Sequence, residues 1–388
     1  MDPHGILFFD HMNGGPPLPG VAAAMGPWLG RAANPQAAHR SGRSAHMALE
    51  AARAGVAALV GAQAEQVLFG ASGTEVNNLG LKGFLKANRR RGDRILVSAI
   101  EHTSISRAAR RMADSGYRVD TVAVDREGRV RPETLAKMID ETTALVCVQL
   151  ANPEVGTVQD IPPLAEIAHR HKAALLVDGV AACGRMRVDL GELGADLFTL
   201  AAAPMWGPAG AAALVRARGI RLQPELDGGI QEQGVRGGLE NVAAIVGLGV
   251  CAQAARAGLA EGRAEGLADL AGRFSKVASA LPGVRLSGPE TGRLPGHASL
   301  LVDGVEGESL LALLDREGVA ASSGSYCGAQ AMKASETLTA LGYAPEQALS
   351  GVVFAFGPAN SPEEVDRGGE LLRKCLESSR LALSRAPR

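Results

Sequence analysis

The chain has 388 residues, a formal net charge of −1 and 46% hydrophobic residues. That is the profile of a globular protein with room for a substantial core, and its near-neutral charge argues against nucleic acid or an anionic membrane surface as a partner. The five cysteines (Cys147, Cys183, Cys251, Cys327, Cys375) are scattered, with no CxxC pair. They argue against a disulfide framework and for a reducing, cytoplasmic setting.

From the N-terminus, residues 1–5 show no basic stretch leading into a long apolar run, so no signal peptide is expected. Short apolar runs at 6–9, 67–69, 94–98, 119–124, 144–150, 174–177 and 197–200 are predicted strands. Amphipathic helical patterns at 41–60, 75–88, 104–114 and 161–171 fall between several of them. Such alternation predicts a mainly parallel sheet with helices on both faces. The run Ala174-Leu175-Leu176-Val177 has no polar alternation, as a strand buried on both faces requires. The run 242–259 is the most apolar helix candidate, but Gln253 and Arg256 interrupt it and a bilayer span is not expected. Beyond about residue 260 helices dominate, with two short strands predicted at 299–302 and 352–356. The expected organisation is a large α/β domain over 13–258 and a smaller α+β domain made of 1–12 and 259–388.

Ligands of open α/β sheets gather at the carboxyl ends of the strands. Gly70-Ala71-Ser72-Gly73-Thr74-Glu75 is a glycine-bearing turn opening a helix, with backbone N–H groups suited to an anion. Asp178, at the end of its apolar run, is either a site residue or a cap on the next turn. Glu101-His102-Thr103-Ser104 follows another strand, and His102 is either structural or functional. Ser322-Ser323-Gly324-Ser325-Tyr326-Cys327-Gly328 puts a thiol on a Gly/Ser-rich stretch, a setting for a reactive or metal-binding cysteine. Cys147 sits instead in the apolar run Leu145-Val146-Cys147-Val148, as buried cysteines do.

Taken in order, these segments resemble the cysteine desulfurases, class V aminotransferases of pyridoxal-phosphate (PLP) fold type I. Residues 33–39 (ANPQAAH) resemble the family's N-P-S-S-x-H, and 69–78 (FGASGTEVNN) its F-T-S-G-A-T-E-A-N-N. Residues 152–159 (NPEVGTVQ) resemble N-N-E-V-G-T-I-Q, and 228–236 (GGIQEQGVR) resemble G-G-G-Q-E-R-G-L-R. Residues 240–247 (ENVAAIVG) match without change. Residues 322–327 (SSGSYC) resemble S-S-G-S-A-C, whose cysteine becomes a persulfide. The resemblance implies a large domain with a mainly parallel seven-stranded sheet and a smaller α+β domain, assembled as a homodimer. It gives His102 the position that stacks on the cofactor ring, Asp178 the partner of the pyridine nitrogen, Thr74 the phosphate end and Cys327 the sulfur-carrying position.

The family's lysine lies in S-A-H-K-F-Y-G-P-K-G; here residues 201–210 read AAAPMWGPAG. Gly207-Pro208 and Gly210 fix the register, so Pro204 stands at the lysine position and offers no amine for a Schiff base. The resemblance also implies losses at Ala201, Ala203 and Leu239 (phosphate contacts), Pro153 and Ala181 (ring contacts), and Val353 and Pro358 (substrate arginines). Each removes roughly one to three kcal/mol of binding. The first expectation is therefore a PLP-free desulfurase relative in iron–sulfur assembly or sulfur transfer. In it, Cys327 serves as persulfide acceptor, or as thiolate ligand of a cluster shared with a scaffold partner. The alternatives are a new activity built on His102, Asp178 and Cys327 in the former cofactor cleft, and a structural subunit of a desulfurase complex.

Overall fold

The structure, a computed structural model, describes residues 5–31, 34–324 and 334–385. Its centre is a seven-stranded sheet of β1 (Val67–Gly70), β2 (Arg94–Ser98), β3 (Arg118–Val122), β4 (Thr143–Gln149), β5 (Ala174–Asp178), β6 (Leu197–Ala201) and β7 (Ala212–Arg216). The strands lie in the order β1-β7-β6-β5-β4-β2-β3. Pairing is parallel from β3 through β2, β4 and β5 to β6, while β7 is antiparallel to both β6 and β1. Every residue of β4 and β5 is buried, because helices cover both faces and a polar residue on either would lose its water. β3 is the edge strand and is partly exposed. Its charged residues blunt that edge, and Arg94 of β2 holds Asp120 at 2.7 Å and Asp140 at 2.9 Å.

β7 is absent from the strands expected from sequence. Its run Ala212-Ala213-Leu214-Val215 is short and alanine-rich, and it follows β6 with only a short 3-10 turn and no α-helix between. The helix expected at 75–88 is divided: Gly73–Asn78 is α-helical, Leu79–Gly83 widens into a π-turn, and Phe84–Ala87 resumes the α-helix. Gly80 lies inside that π-turn against Leu176, where a Cβ would come within 2.7 Å of the leucine side chain.

Helix Val242–Ala260 lies against helix Arg40–Leu59, so closely that a methyl on Gly249 would meet the Cα of Ala52 at 2.6 Å. By length and apolar composition it is the one described helix that could cross a bilayer, but most of it is buried inside the protein.

A second sheet, β8 (Val284–Leu286), β9 (His297–Val302) and β10 (Gly351–Ala355), is antiparallel with β9 in the middle. The N-terminal strand Leu7–Phe8 joins this half of the molecule by pairing in parallel with Val319–Ala320. It delivers Phe9 into a cluster with Phe274, Phe354 and Phe356, where the closest ring centroids, Phe274 and Phe354, are 4.4 Å apart. Arg185, fully buried, ties this half to the large sheet. Its Nη1 donates to the Phe356 carbonyl at 2.9 Å and its Nη2 to the His11 carbonyl at 2.9 Å, while the guanidinium stacks 4.9 Å from the Trp206 ring.

Candidate active-site cleft

The carboxyl ends of β1, β4, β5 and β6 open onto one cleft of about 450 Å³. Thr74, His102, Asp178 and Pro204, four positions singled out from sequence, all line it. So do Pro153, Ala181, Ala201 and Ala203. Val353 is instead buried on β10, and Pro358 is exposed. Leu239 lies in a small neighbouring depression that shares Ala71 and Gly210 with the cleft. Cys327 lies outside the described residues. Gly324 and Ser335, described on either side of its segment, both meet Glu154: a Cβ on Gly324 would come within 2.7 Å of Glu154 Cγ, and the Ser335 hydroxyl donates to Glu154 Oε1. Burial pushes the Glu154 carboxyl up to about 7.

Asp178 lines the cleft and also caps the turn that follows its strand, where its Oδ1 accepts the Val180 N–H at 3.0 Å. That turn requires Gly179, because a Cβ there would lie 1.9 Å from the Phe198 ring. The other donor to Asp178 is the Asn77 amide, Nδ2 to Oδ2 at 2.7 Å. Asn77 Nδ2 also donates to Ser104 Oγ at 2.9 Å, and Asn77 Oδ1 accepts the Thr199 hydroxyl at 2.6 Å. Ser104 in turn sits against His102 Nδ1, with Oγ at 2.7 Å and the backbone N–H at 3.2 Å. Since the Ser104 backbone N–H already donates to His102 Nδ1, that nitrogen carries no proton, and the Ser104 hydroxyl hydrogen points to it as well. Nδ1 is then an acceptor, and the proton of the neutral ring is carried by Nε2. Burial holds the His102 pKa below its ordinary value, with Asp178 opposing. Asn77, Ser104 and Thr199 had no assigned role in sequence, although Asn77 lay inside a matched segment.

Beneath His102, Glu101 accepts from the Gln149 N–H at 2.7 Å and from the Ser98 hydroxyl through Oε1, while its Oε2 has no hydrogen-bond partner. Burial raises this carboxyl to about 8.

Pro204 sits in a 3-10 turn over Ala203–Met205, followed by Trp206 in a left-handed conformation at φ 59. The turn is locked in place. Met205 N–H and Gly207 N–H both donate to the Ala202 carbonyl at 2.9 Å. Trp206, almost wholly buried, donates its indole N–H to His11 Nδ1 at 3.0 Å. Among the described residues lining the cleft there is no lysine and no arginine. PLP is held by an imine to an amine and by donors to a dianionic phosphate. The cleft offers no amine, alanines at 201 and 203, and a single formal charge, which is negative. This set does not fit that cofactor.

Comparison with known proteins agrees with the fold. Residues 17–367 match the aminotransferase class-V family model. The chain is 36% identical over 376 residues to cysteine desulfurase IscS 1 of Archaeoglobus fulgidus, covering 96% of this chain and 97% of that protein. It is 33% identical to cysteine desulfurase IscS of Dictyoglomus turgidum, covering 96% and 95%. Among solved structures, a NifS-like protein superposes with a TM-score of 0.90 at 27% identity, covering 96% of this chain and 100% of that one. The NifS-like protein of Rickettsia africae superposes with a TM-score of 0.86 at 26% identity, covering 96% and 99%. The architecture is the α/β fold of PLP fold type I. The chain belongs to the cysteine desulfurase family within the class-V aminotransferases.

Proposed function

We propose that the chain is a cysteine-desulfurase-like protein that works without covalently bound PLP, in iron–sulfur cluster assembly or sulfur transfer. The observation that carries this reading is Pro204: it is locked into the cleft wall at the lysine position, and no described cleft residue offers an amine instead. Thr74, His102 and Asp178 then keep the family's cofactor positions without the cofactor. The resemblance to proteins named cysteine desulfurase supports sulfur as the cargo.

Cys327 is the sulfur-handling group in this reading. Its thiolate attacks the outer sulfur of a donor persulfide, the donor leaves as a thiolate, and the persulfide passes to Cys327. As a cluster ligand it would need further thiolates from a scaffold partner, since one cysteine cannot hold a cluster. Among the described residues no group of three or more His, Cys, Asp or Glu side chains is placed to bind a metal. The four described cysteines are buried, and burial raises the pKa of each, that of Cys251 to about 12. Thiols of that kind are poor nucleophiles, which favours Cys327.

The assembly in this reading is a cytoplasmic homodimer of two-domain subunits (13–258; 1–12 with 259–388) that engages an iron–sulfur scaffold or sulfur-acceptor protein. Met47, Leu226, Ile230 and Leu239 leave large apolar side chains exposed on the large domain, which is consistent with a covered surface in the assembly. A second reading, a new activity in the cleft, is favoured by the network that still orders His102 and Asp178 through Asn77.

Two measurements test the first reading. The purified protein should show no aldimine absorption. Anaerobic reconstitution with iron and sulfide, with the scaffold protein present, should depend on Cys327. A Cys327→Ala variant that reconstitutes as well as the parent would remove the thiol from the reading.

A further inference from the structure

The cleft combines a polar floor of Asn77, His102 and Gln149 with a single formal charge among its described lining residues. Asp178 is the only formally charged side chain lining it among the described residues. The two donors to Asp178 are both neutral, the Asn77 amide at 2.7 Å and the Val180 N–H at 3.0 Å, while the Thr199 hydroxyl, which donates to Asn77 Oδ1, lies 3.5 Å away. The carboxylate is 5% exposed, and no ion pair with it is present among the described residues. A buried carboxylate held only by dipoles is best completed by a cation, and it repels a second anion. The histidine beside it does not supply that cation at neutral pH, because burial holds its pKa below the ordinary value. Around this one charge the walls are largely apolar, formed by Ala151, Pro153, Val180, Ala181, Ala201 and Pro204. At about 450 Å³ the space matches a small organic ligand.

We propose that this cleft binds a small organic cation, an amidinium or guanidinium, with Asp178 as its counter-ion. The apolar walls take the body of the ligand and Asp178 takes its N–H groups in charge-assisted hydrogen bonds. The alanines at 201 and 203 offer a phosphate no side-chain donor, and no cationic side chain lines the cleft among the described residues. The same architecture thus selects against an anionic ligand. This inference rests on the reading that PLP does not occupy the cleft, and it is independent of the role given to Cys327.

The test is calorimetric titration of the full-length protein at pH 7 and low salt with three probes: benzamidinium, benzoate of the same shape and opposite charge, and inorganic phosphate. Benzamidinium is expected to bind at least about tenfold more tightly than benzoate, and phosphate not to bind. Asp178→Asn should erase the preference. Because Asp178 also caps a turn, a second variant guards against misfolding: Thr74→Arg, at an exposed position on the cleft rim, should move the preference towards benzoate and phosphate. The proposal is overturned if benzoate or phosphate binds as tightly as benzamidinium, or if none of the three binds. It is equally overturned if either folded variant keeps the parent's preference. An aldimine band in the protein as purified would overturn the underlying reading instead, so the two failures are distinguishable.

Discussion

Asn77 and Asp178 are joined by a 2.7 Å hydrogen bond across two elements, the helix after β1 and the carboxyl end of β5. The same amide group reaches Ser104, and its oxygen takes the Thr199 hydroxyl. Asn77 therefore uses three hydrogen-bonding positions in a space where it is 1% exposed. Replacing it by leucine keeps the volume and leaves Asp178, Ser104 and Thr199 each short of a partner. The expected cost is about 2–4 kcal/mol of stability, read from urea denaturation. A change below about 0.5 kcal/mol would mean that water replaces the amide and that the network does not order the cleft.

Restoring the lysine should not restore the cofactor. A Pro204→Lys variant regains an amine, and proline has no backbone N–H for the turn to lose. By the family resemblance it still lacks the phosphate contacts at positions 201 and 203 and the ring contacts at positions 153 and 181. Each missing donor removes roughly one to three kcal/mol. After incubation with PLP and gel filtration, the variant should elute without aldimine absorption. Retention of a stoichiometric yellow cofactor would show that the single proline, and not the combined set of substitutions, separates this chain from its relatives.

Much of this site could be read before any coordinates. The unalternating run at 174–177 placed Asp178 at a strand end, and the glycines around 204 placed Pro204 among the candidate site positions, which the cleft does include. The network between these points was not legible, because its bonds join residues 27, 101 and 122 positions apart along the chain. Asn77 stood in a matched segment, yet nothing local says that its amide faces β5 rather than solvent. β7 was missed for a different reason. Four small or apolar residues after a Gly-Pro-Ala-Gly stretch carry no period, and only pairing with β1 and β6 makes them a strand. The π-turn at Leu79–Gly83 likewise reflects the space against Leu176 rather than any local preference.

Two buried carboxyls make stability depend on pH. Burial raises Glu101 to about 8 and Glu154 to about 7, from an ordinary 4.5. The folded protein thus holds protons that the unfolded chain releases, and stability falls as pH rises through the window from 4.5 to 8. Each carboxyl contributes a slope of at most about 1.4 kcal/mol per pH unit. His11 and His297, both held near 3 by burial, act in the opposite sense: below 6.5 the unfolded chain takes up the protons, and stability falls with acid. Towards pH 8 the histidine contribution fades while the buried cysteines, whose pKa burial raises, begin to act in the same sense as the carboxyls, so the Glu101 share is read as the difference between the parent and Glu101→Gln. Urea denaturation at pH 7.0, 7.5 and 8.0 should show stability declining in the parent and a flatter profile in Glu101→Gln. An unchanged slope would place the Glu101 carboxyl in contact with water.

Arg185 offers the sharpest structural test, because one side chain links three parts of the chain. Its guanidinium donates to the carbonyls of His11 and Phe356 and stacks on Trp206, the residue that closes the turn around Pro204. Burial lowers its pKa to about 9, still high enough for it to stay charged at neutral pH. Arg185→Ala leaves two buried carbonyls unpaired and opens a cavity beneath the indole, at an expected cost of about 3–5 kcal/mol. Arg185→Lys should recover little of this, since an ammonium cannot span both carbonyls in the fixed geometry of a fork or stack flat on the ring. Trp206 supplies the readout: both variants should alter its fluorescence in the folded state and lower the denaturation midpoint. If Arg185→Lys matched the parent in both, the planar fork and the stack would not be what holds the two halves together.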